Sequence, residues 1–242
     1  MDVPTEMQHQ AMGYDRAATM FSPDGHLLQV EYAEKTVRLG SSSIGLACKD
    51  GAVIIADRRV RDKLISPESA NKIAEVDEHV LASSAGILSD ARMLVDQAQL
   101  LAQQHRITYG TPIDPIAVIR MIADKKQMFT QYGGARPYGV AFMVAGATHE
   151  QAHLYTSDVT GNFFAYRANA IGENDEKIKE TLRTDFDDNM TIDEGIKFAL
   201  KIFKDILGKN FELSRFDVGY VKIGEQKLIR MHGDDLKKYV KA

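Results

Sequence analysis

The stretch His149-Glu150-Gln151-Ala152-His153 spells the H-E-x-x-H of zinc proteases. That chemistry needs a helix, so that two imidazoles four residues apart share one face and the Glu activates a metal-bound water. Here Gly146 precedes the segment and a β-type run lies on each side. Two His in a hairpin loop do not converge, no further ligand stands at a metal-site spacing, and no metal or other cofactor is expected. Asp185-Phe186-Asp187-Asp188-Asn189 is a comparably faint calcium loop. Met190 stands where the turn needs Gly and Ile196 where a chelating Glu belongs. Glu173 and Glu176, and Asp234-Asp235, stand at helix starts, where negative charge complements the helix dipole without any acid–base role. Cys48 is the only cysteine, so it has no internal disulfide partner, and it lies in a strand-like run that suits a small core residue.

The elements that position these residues are read from periodicity. Ser22-Pro23-Asp24-Gly25 is a tight turn, because Pro presets φ while Asp and Gly accept the conformations of a reversal. From His26 to Arg38, Leu27, Val30, Tyr32 or Ala33, and Val37 recur at helical spacing, and Gly40 follows where a left-handed cap is wanted. Runs 42–48 and 52–56 form a hairpin around Lys49-Asp50-Gly51. A second strand pair spans 72–76 and 80–84. Helices follow over 89–106 and from Asp114-Pro115, an N-cap with Pro at the first helical position, to about Tyr132. Strands return at 140–147, 153–157 and 163–167, the last pair turning at Thr160-Gly161-Asn162. Asn174 is expected to cap a helix to about Phe186, and Thr191-Ile192-Asp193-Glu194 is a capping box that opens another to Leu207. A hairpin of 216–223 and 227–231 and a short helix over 234–240 close the chain. Strands, paired helices, strands, paired helices, strands is a pattern satisfied by two stacked antiparallel sheets with helices outside.

Composition sets limits on function. The chain has 242 residues with 30 Lys and Arg against 34 Asp and Glu, a net charge of −4, so no basic stripe exists to neutralise phosphates and nucleic acid is not an expected partner. No apolar run approaches membrane-spanning length and the N-terminus lacks an apolar signal core, so a cytoplasmic location and no membrane are expected. No composition shift or linker divides the chain. Residues 1–13 are polar with few anchoring groups and are expected to be mobile; residues 14–242 are expected to be a single domain.

Tyr14-Asp15-Arg16, Phe21-Ser22-Pro23-Asp24-Gly25, Gln29-Val30-Glu31-Tyr32-Ala33 and Gly40-Ser41, with turn, helix and cap in order, resemble the N-terminal signature of proteasome α subunits of the archaeal type. The resemblance continues through Asp57-Arg58-Arg59, Asn71-Lys72-Ile73, Ser84-Ala85-Gly86, Asp90-Ala91-Arg92, Thr108-Tyr109-Gly110, Tyr132-Gly133-Gly134 and Arg136-Pro137-Tyr138-Gly139, and weakens after about Gly172. It implies an α+β fold, the four-layer αββα sandwich of the N-terminal-nucleophile hydrolases with an extra N-terminal helix. It also implies a non-catalytic subunit of the proteasome core particle. Identical copies form a ring against rings of β subunits, where threonine-type proteolysis takes place.

The resemblance further assigns residues. Lys72 would bind the terminal carboxylate of an AAA ATPase activator whose tail ends in hydrophobic-Tyr-X. Gly40 and Gly86 would let backbone approach in that pocket, and Gly25, Leu27 and Glu31 would line its tyrosine side. Tyr14, Asp15, Pro23 and Tyr32 would form the cluster between neighbouring copies that holds the entrance open, with Arg16 pairing a neighbour's acid. Residues 1–13 would gate the passage of unfolded substrates. One position departs from the family: Glu34 stands where Arg is usual. Aligned with the catalytic β subunits, Ser41, Asp57 and Lys72 fall at the places of nucleophile, Asp and Lys. That chemistry requires a free amine at residue 41, because an internal hydroxyl without its base is a poor nucleophile. Two alternatives stay open at this point: a hydrolase activated by processing at Ser41, and a free-standing α-like ring scaffold.

Overall fold

The structure, a computed structural model, describes residues 11–59 and 64–240. Most of the expected gate segment 1–13, up to residue 10, lies outside the described residues. The Ser22–Gly25 turn forms as expected: the Gly25 N–H donates to the Ser22 carbonyl at 2.9 Å, and Gly25 takes a φ of 81°. Helix α1 (Leu28–Leu39) follows and buries Leu28, Val30 and Ala33. Strands β1 (Ser43–Cys48) and β2 (Gly51–Asp57) pair with Cys48 opposite Gly51, and β3 (Ile73–Asp77) pairs with β4 (Val80–Gly86). Helix α2 (Leu88–Tyr109) leads to α3 (Pro115–Phe129), whose Asp114 cap accepts the Ile116 N–H at 3.1 Å. Next come β5 (Val140–Ala147), β6 (Ala152–Ser157), β7 (Phe163–Ala165) and β8 (Ala168–Ile171). Helix α4 (Asp175–Asp185) precedes α5 (Ile192–Leu207), which opens on the Thr191–Glu194 capping box. Strands β9 (Phe216–Lys222) and β10 (Leu228–His232) and the short helix α6 (Lys237–Val240) complete the described chain.

The strands build two five-stranded antiparallel sheets, ordered β10-β9-β2-β1-β8 and β3-β4-β5-β6-β7. Alternation along each strand decides what each face touches. In β2, Val53 and Ile55 join the core under α4 and α5, whereas Ala52, Ile54 and Ala56 face the other sheet. In β5, Val140, Phe142 and Val144 lie under α2 and α3, whereas Ala141, Met143, Ala145 and Ala147 face inward. The many alanines between the sheets let them close on one another, and a buried Ser43–Ser83 hydroxyl pair at 2.8 Å links β1 to β4 across the gap. Helix, sheet, sheet, helix is the expected αββα order, with α1 packed on β4 and β5 at one end.

Three local expectations differ. Gly40 is extended, with φ −71° and ψ 147°, rather than left-handed. A Cβ there would overlap the Gly86 backbone nitrogen, so the glycine serves a close backbone approach and not a helix cap. Asn174 precedes α4 in the left-handed region, φ 59°, and makes no side-chain cap bond. Strand β8 has no signal of its own in the sequence pattern. It follows β7 after only Tyr166 and Arg167, yet pairs with β1 in the other sheet, so two runs that look continuous in sequence belong to different layers.

The seat of α1 depends on a buried lysine. Val159, at the β6–β7 turn, packs against Val30 and Ala33 of α1. Lys126 of α3 is wholly buried and donates to the Asp158 carbonyl at 3.0 Å and to the Ser157 carbonyl and hydroxyl at 3.3 and 3.4 Å. Burial lowers its pKa from 10.5 to about 7, with the Asp158 charge opposing the shift. The folded-state pKa thus lies below the unfolded one. Between about pH 7 and 10 the unfolded chain binds the extra proton, so the stability penalty of Lys126 is full below that window and fades as pH rises through it. Lys126→Met should therefore gain on the parent by about 1–4 kcal/mol more at pH 6 than at pH 9.5. Thermal melting at both pH values reads this, and an equal difference at each would show that Lys126 does not titrate in the fold.

Candidate functional site

Lys72 stands just before β3, where the open ends of the two sheets meet the segment leaving α1. Its ammonium donates to the Ser41 carbonyl and, at 2.5 Å, to the Ser41 hydroxyl, while its backbone N–H donates to Asp217 at 3.1 Å. Asp217 also meets Arg58 at 3.2 Å and His232 at 2.7 Å, and the neighbouring Asp57 holds Arg215 at 2.6 Å. Both carboxylates are almost fully buried. Burial lowers the Lys72 pKa to about 7; Asp57 and Asp217 oppose the shift and Arg59 adds to it. A cavity of about 640 Å³ opens beside the ammonium, with Arg58, Arg59 and Arg92 also on its wall and Ala74, Ala82, Leu88, Ala91 and Val95 forming its apolar side. Among the described residues no Asp or Glu lines it. Cations and apolar residues lining one cavity suit a carboxylate attached to an apolar segment.

The arrangement does not supply an N-terminal nucleophile. The Ser41 nitrogen is bound in the Gly40–Ser41 peptide, whose Gly40 carbonyl accepts the Glu173 N–H at 2.8 Å. Asp57 is committed to Arg215 and to the Arg59 N–H at 3.0 Å. The geometry expected from aligning the chain with β subunits is thus present in outline, with Lys72 on the Ser41 hydroxyl, while Asp57 faces Arg215 and helix α1 is docked ahead of Ser41.

The residues expected to flank Lys72 separate into groups within one chain. Gly40 and Gly86 are in backbone contact; a Cβ on Gly86, φ 124°, would in turn overlap the Gly139 carbonyl. Gly25, Leu27 and Glu31 cluster at the start of α1, where the Glu31 N–H donates to the Leu27 carbonyl at 3.1 Å and its carboxylate meets His26 at 2.5 Å. They are not part of the Lys72 cavity wall. Glu34 lines a different cleft beside Asp158, and burial followed by that charge raises its pKa.

Tyr14–Arg16 form one 3-10 turn, and the Asp15 carbonyl accepts the Gln29 side-chain amide of α1 at 2.5 Å. Asp15 Oδ1 is buried without a hydrogen-bond partner among the described residues. Pro23 stands exposed at the tip of its turn, and Tyr32 is half-buried with the Lys35 ammonium 5.2 Å from its ring centre.

Of the discounted motifs, His149 and Glu150 lie in the β5–β6 loop, and His153 in β6 stacks on Tyr155. Among the described residues no three candidate ligands converge on a metal position. Asp187 is occupied by Asn189 and Asp188 by Arg167, so these carboxylates of the 185–189 connection already have partners. Cys48 is buried in β1 with its pKa pushed up to about 12 by burial, an inert thiol. No helix among the described residues is long and apolar enough to cross a membrane. Sequence reasoning missed Asp217, His232 and Arg215, which reach the site from the far end of the chain and carry no local signal.

Two family models match the chain: that of the proteasome subunit over residues 37–221, and that of the N-terminal signature of A-type proteasome subunits over residues 14–35. The chain is similar to the proteasome α subunit of Methanococcus maripaludis, with 41% identity covering 96% of this chain and 89% of that one. Similarity to the proteasome α subunit of Pyrococcus abyssi is 40% over 94% of this chain and 87% of the relative. For that of Archaeoglobus fulgidus it is 40% over 95% and 93%. With the signature falling on the turn and helix that stand in front of Ser41, and similarity running through both sheets, the chain belongs to the proteasome subunit family, in its α class.

Proposed function

We propose that the chain is a non-catalytic outer-ring subunit of a proteasome core particle in the cytoplasm, with residues 1–13 as the substrate gate and 14–242 as its body. Ring copies of the chain stack on β subunits, which hydrolyse the peptide bonds. The observation that carries this reading is the docked helix α1: it packs on β4 and β5 and is fixed through Gly40 against Gly86, directly ahead of Ser41, as an integral part of the fold. In this reading Lys72, with Gly40 and Gly86 giving backbone access, receives the terminal carboxylate of an ATPase activator ending in hydrophobic-Tyr-X. Gly25, Leu27 and Glu31 line the tyrosine side from across a subunit boundary, in keeping with their separation from Lys72 in one chain. Tyr14, Asp15, Pro23 and Tyr32 form the gate cluster between copies, with Arg16 positioning it. The orphaned Asp15 oxygen supports this, since a buried acceptor without a partner costs about 1–3 kcal/mol and a neighbour's donor removes that cost.

Purified without β subunits, the chain should form rings and cleave no peptide. Hydrolysis that disappears in Ser41→Ala would instead favour a processed hydrolase.

Deleting residues 2–12 should raise degradation of unfolded protein by the assembled particle without shifting its melting temperature. Unchanged degradation rates would remove the gate assignment.

Lys72→Ala should abolish activator stimulation while rings and basal small-peptide cleavage persist. A hydrogen bond to a charged group is worth about 1.5–3 kcal/mol, and repetition around a ring multiplies the deficit. Docking should also depend on pH. An incoming carboxylate favours protonated Lys72, so above its free pKa of about 7 binding takes up a proton. Affinity should then fall from pH 7 to pH 9, by at most about tenfold per unit. A pH-independent binding titration would show that Lys72 is not the carboxylate's partner.

A further inference from the structure

The ion pairs around the cavity are of two kinds. Asp57 and Asp217 are sealed in the fold, with side chains 2% exposed, and hold Arg215 and Arg58 permanently. The pair Arg59–Glu173 differs: the Glu173 side chain is 43% exposed, while Arg59, 22% exposed, lines the cavity with Lys72. Glu173 follows β8, and its backbone is fixed to the segment that Lys72 also touches. Its N–H donates to the Gly40 carbonyl at 2.8 Å, and its own carbonyl accepts the Ser42 hydroxyl. The carboxylate is therefore delivered to Arg59 from a rigid base, on a side chain that water can reach and that is free to swing away.

We propose that Glu173 is an internal competitor for the cavity's ligand. A carboxylate-terminated apolar segment docking on Lys72 recruits Arg59 as its second cation and displaces Glu173 into solvent. The inference rests on the reading of Lys72 as a carboxylate dock and adds to it a residue that sets the threshold for docking. Three observations combine: Arg59 and Lys72 share one cavity wall, they are close enough for the Arg59 charge to act on Lys72, and among the described residues no carboxylate lines that wall. Arg59, two residues past the end of β2, holds a φ of 43°, unusual for an arginine, and lines the cavity. Exchange of one carboxylate for another at a fixed guanidinium costs little, so the competitor tunes affinity without closing the site.

The test is a binding titration of the full-chain ring with a synthetic peptide ending in apolar-Tyr-Ala, with a free or an amidated C-terminus. Glu173→Gln, which keeps size and backbone contacts, should tighten binding of the free-acid peptide about two- to fivefold and leave the amidated peptide unchanged. Glu173→Asp, one methylene shorter, should fall between parent and Gln. Arg59→Gln should weaken the free acid and erase the gain from Glu173→Gln in the double variant, the signature of a shared partner. If Lys72→Ala weakens the peptide but Glu173→Gln leaves its affinity unchanged or lowers it, the competitor is overturned and the dock stands. If Lys72→Ala has no effect, the dock itself is wrong and the competitor falls with it.

Discussion

At the point where the chain leaves α1 there is no room for a side chain. Gly40 lies against the backbone of Gly86, and Gly86 lies against the carbonyl of Gly139, so three separate stretches meet through main-chain atoms alone. Thr36 of α1 donates to the same Gly139 carbonyl at 3.0 Å, which ties the helix to the junction. Residues 41 and 42 are thereby delivered over the open end of the sheets. Ser41 meets Lys72, Ser42 meets Glu173, and Ser43 begins β1. A bulkier residue at either glycine would push α1 off β4 and β5 and move Ser41 away from Lys72 together. The site is a consequence of how the helix is docked.

Two lysines matter to this region, Lys126 wholly buried and Lys72 half-buried, and their surroundings decide what each does. Lys126 has only carbonyl and hydroxyl oxygens around its ammonium, so it acts as a clamp on the β6–β7 turn, whose Val159 seats α1. Lys72 has a hydroxyl and a carbonyl on one side and an open cavity on the other, with Asp57 and Asp217 behind it supplying part of the charge compensation. Burial lowers both pKa values to about 7. Of the two, Lys72 is the one beside open space that an anionic group could enter.

The same geometry explains how a fold suited to N-terminal nucleophiles can be catalytically silent. The lysine and the hydroxyl are in contact and an aspartate is near, yet Asp57 is turned to Arg215 and helix α1 is packed on β4 and β5 directly ahead of Ser41. What remains is an opening lined by cations and apolar residues.

The local elements were legible because each is specified by residues a few positions apart. The Ser22–Gly25 turn, the Asp114-Pro115 helix start and the Thr191–Glu194 box formed as their side chains dictate, and the hairpin at Lys49–Gly51 also formed, although Gly51 serves a close approach to the Val221 carbonyl within β2 and not the turn itself. Resemblance to a family grouped Lys72, Gly40, Gly86 and the α1 residues; in one chain Gly40 lies against Gly86, and neither the glycines nor the α1 residues line the cavity beside Lys72. Only tertiary structure decided the rest. Gly40 reads as a helix cap until Gly86, 46 positions away, is seen against it. The strand expected over 163–167 ends at Ala165, and β8, which had no signal of its own, joins the other sheet. Asp217 reaches Lys72 across a separation of 145 residues. Short-range patterns record what a residue needs from its neighbours in the chain; close backbone approach and buried charge pairing depend on which distant segments the packed layers bring together, and nothing in adjacent residues encodes that.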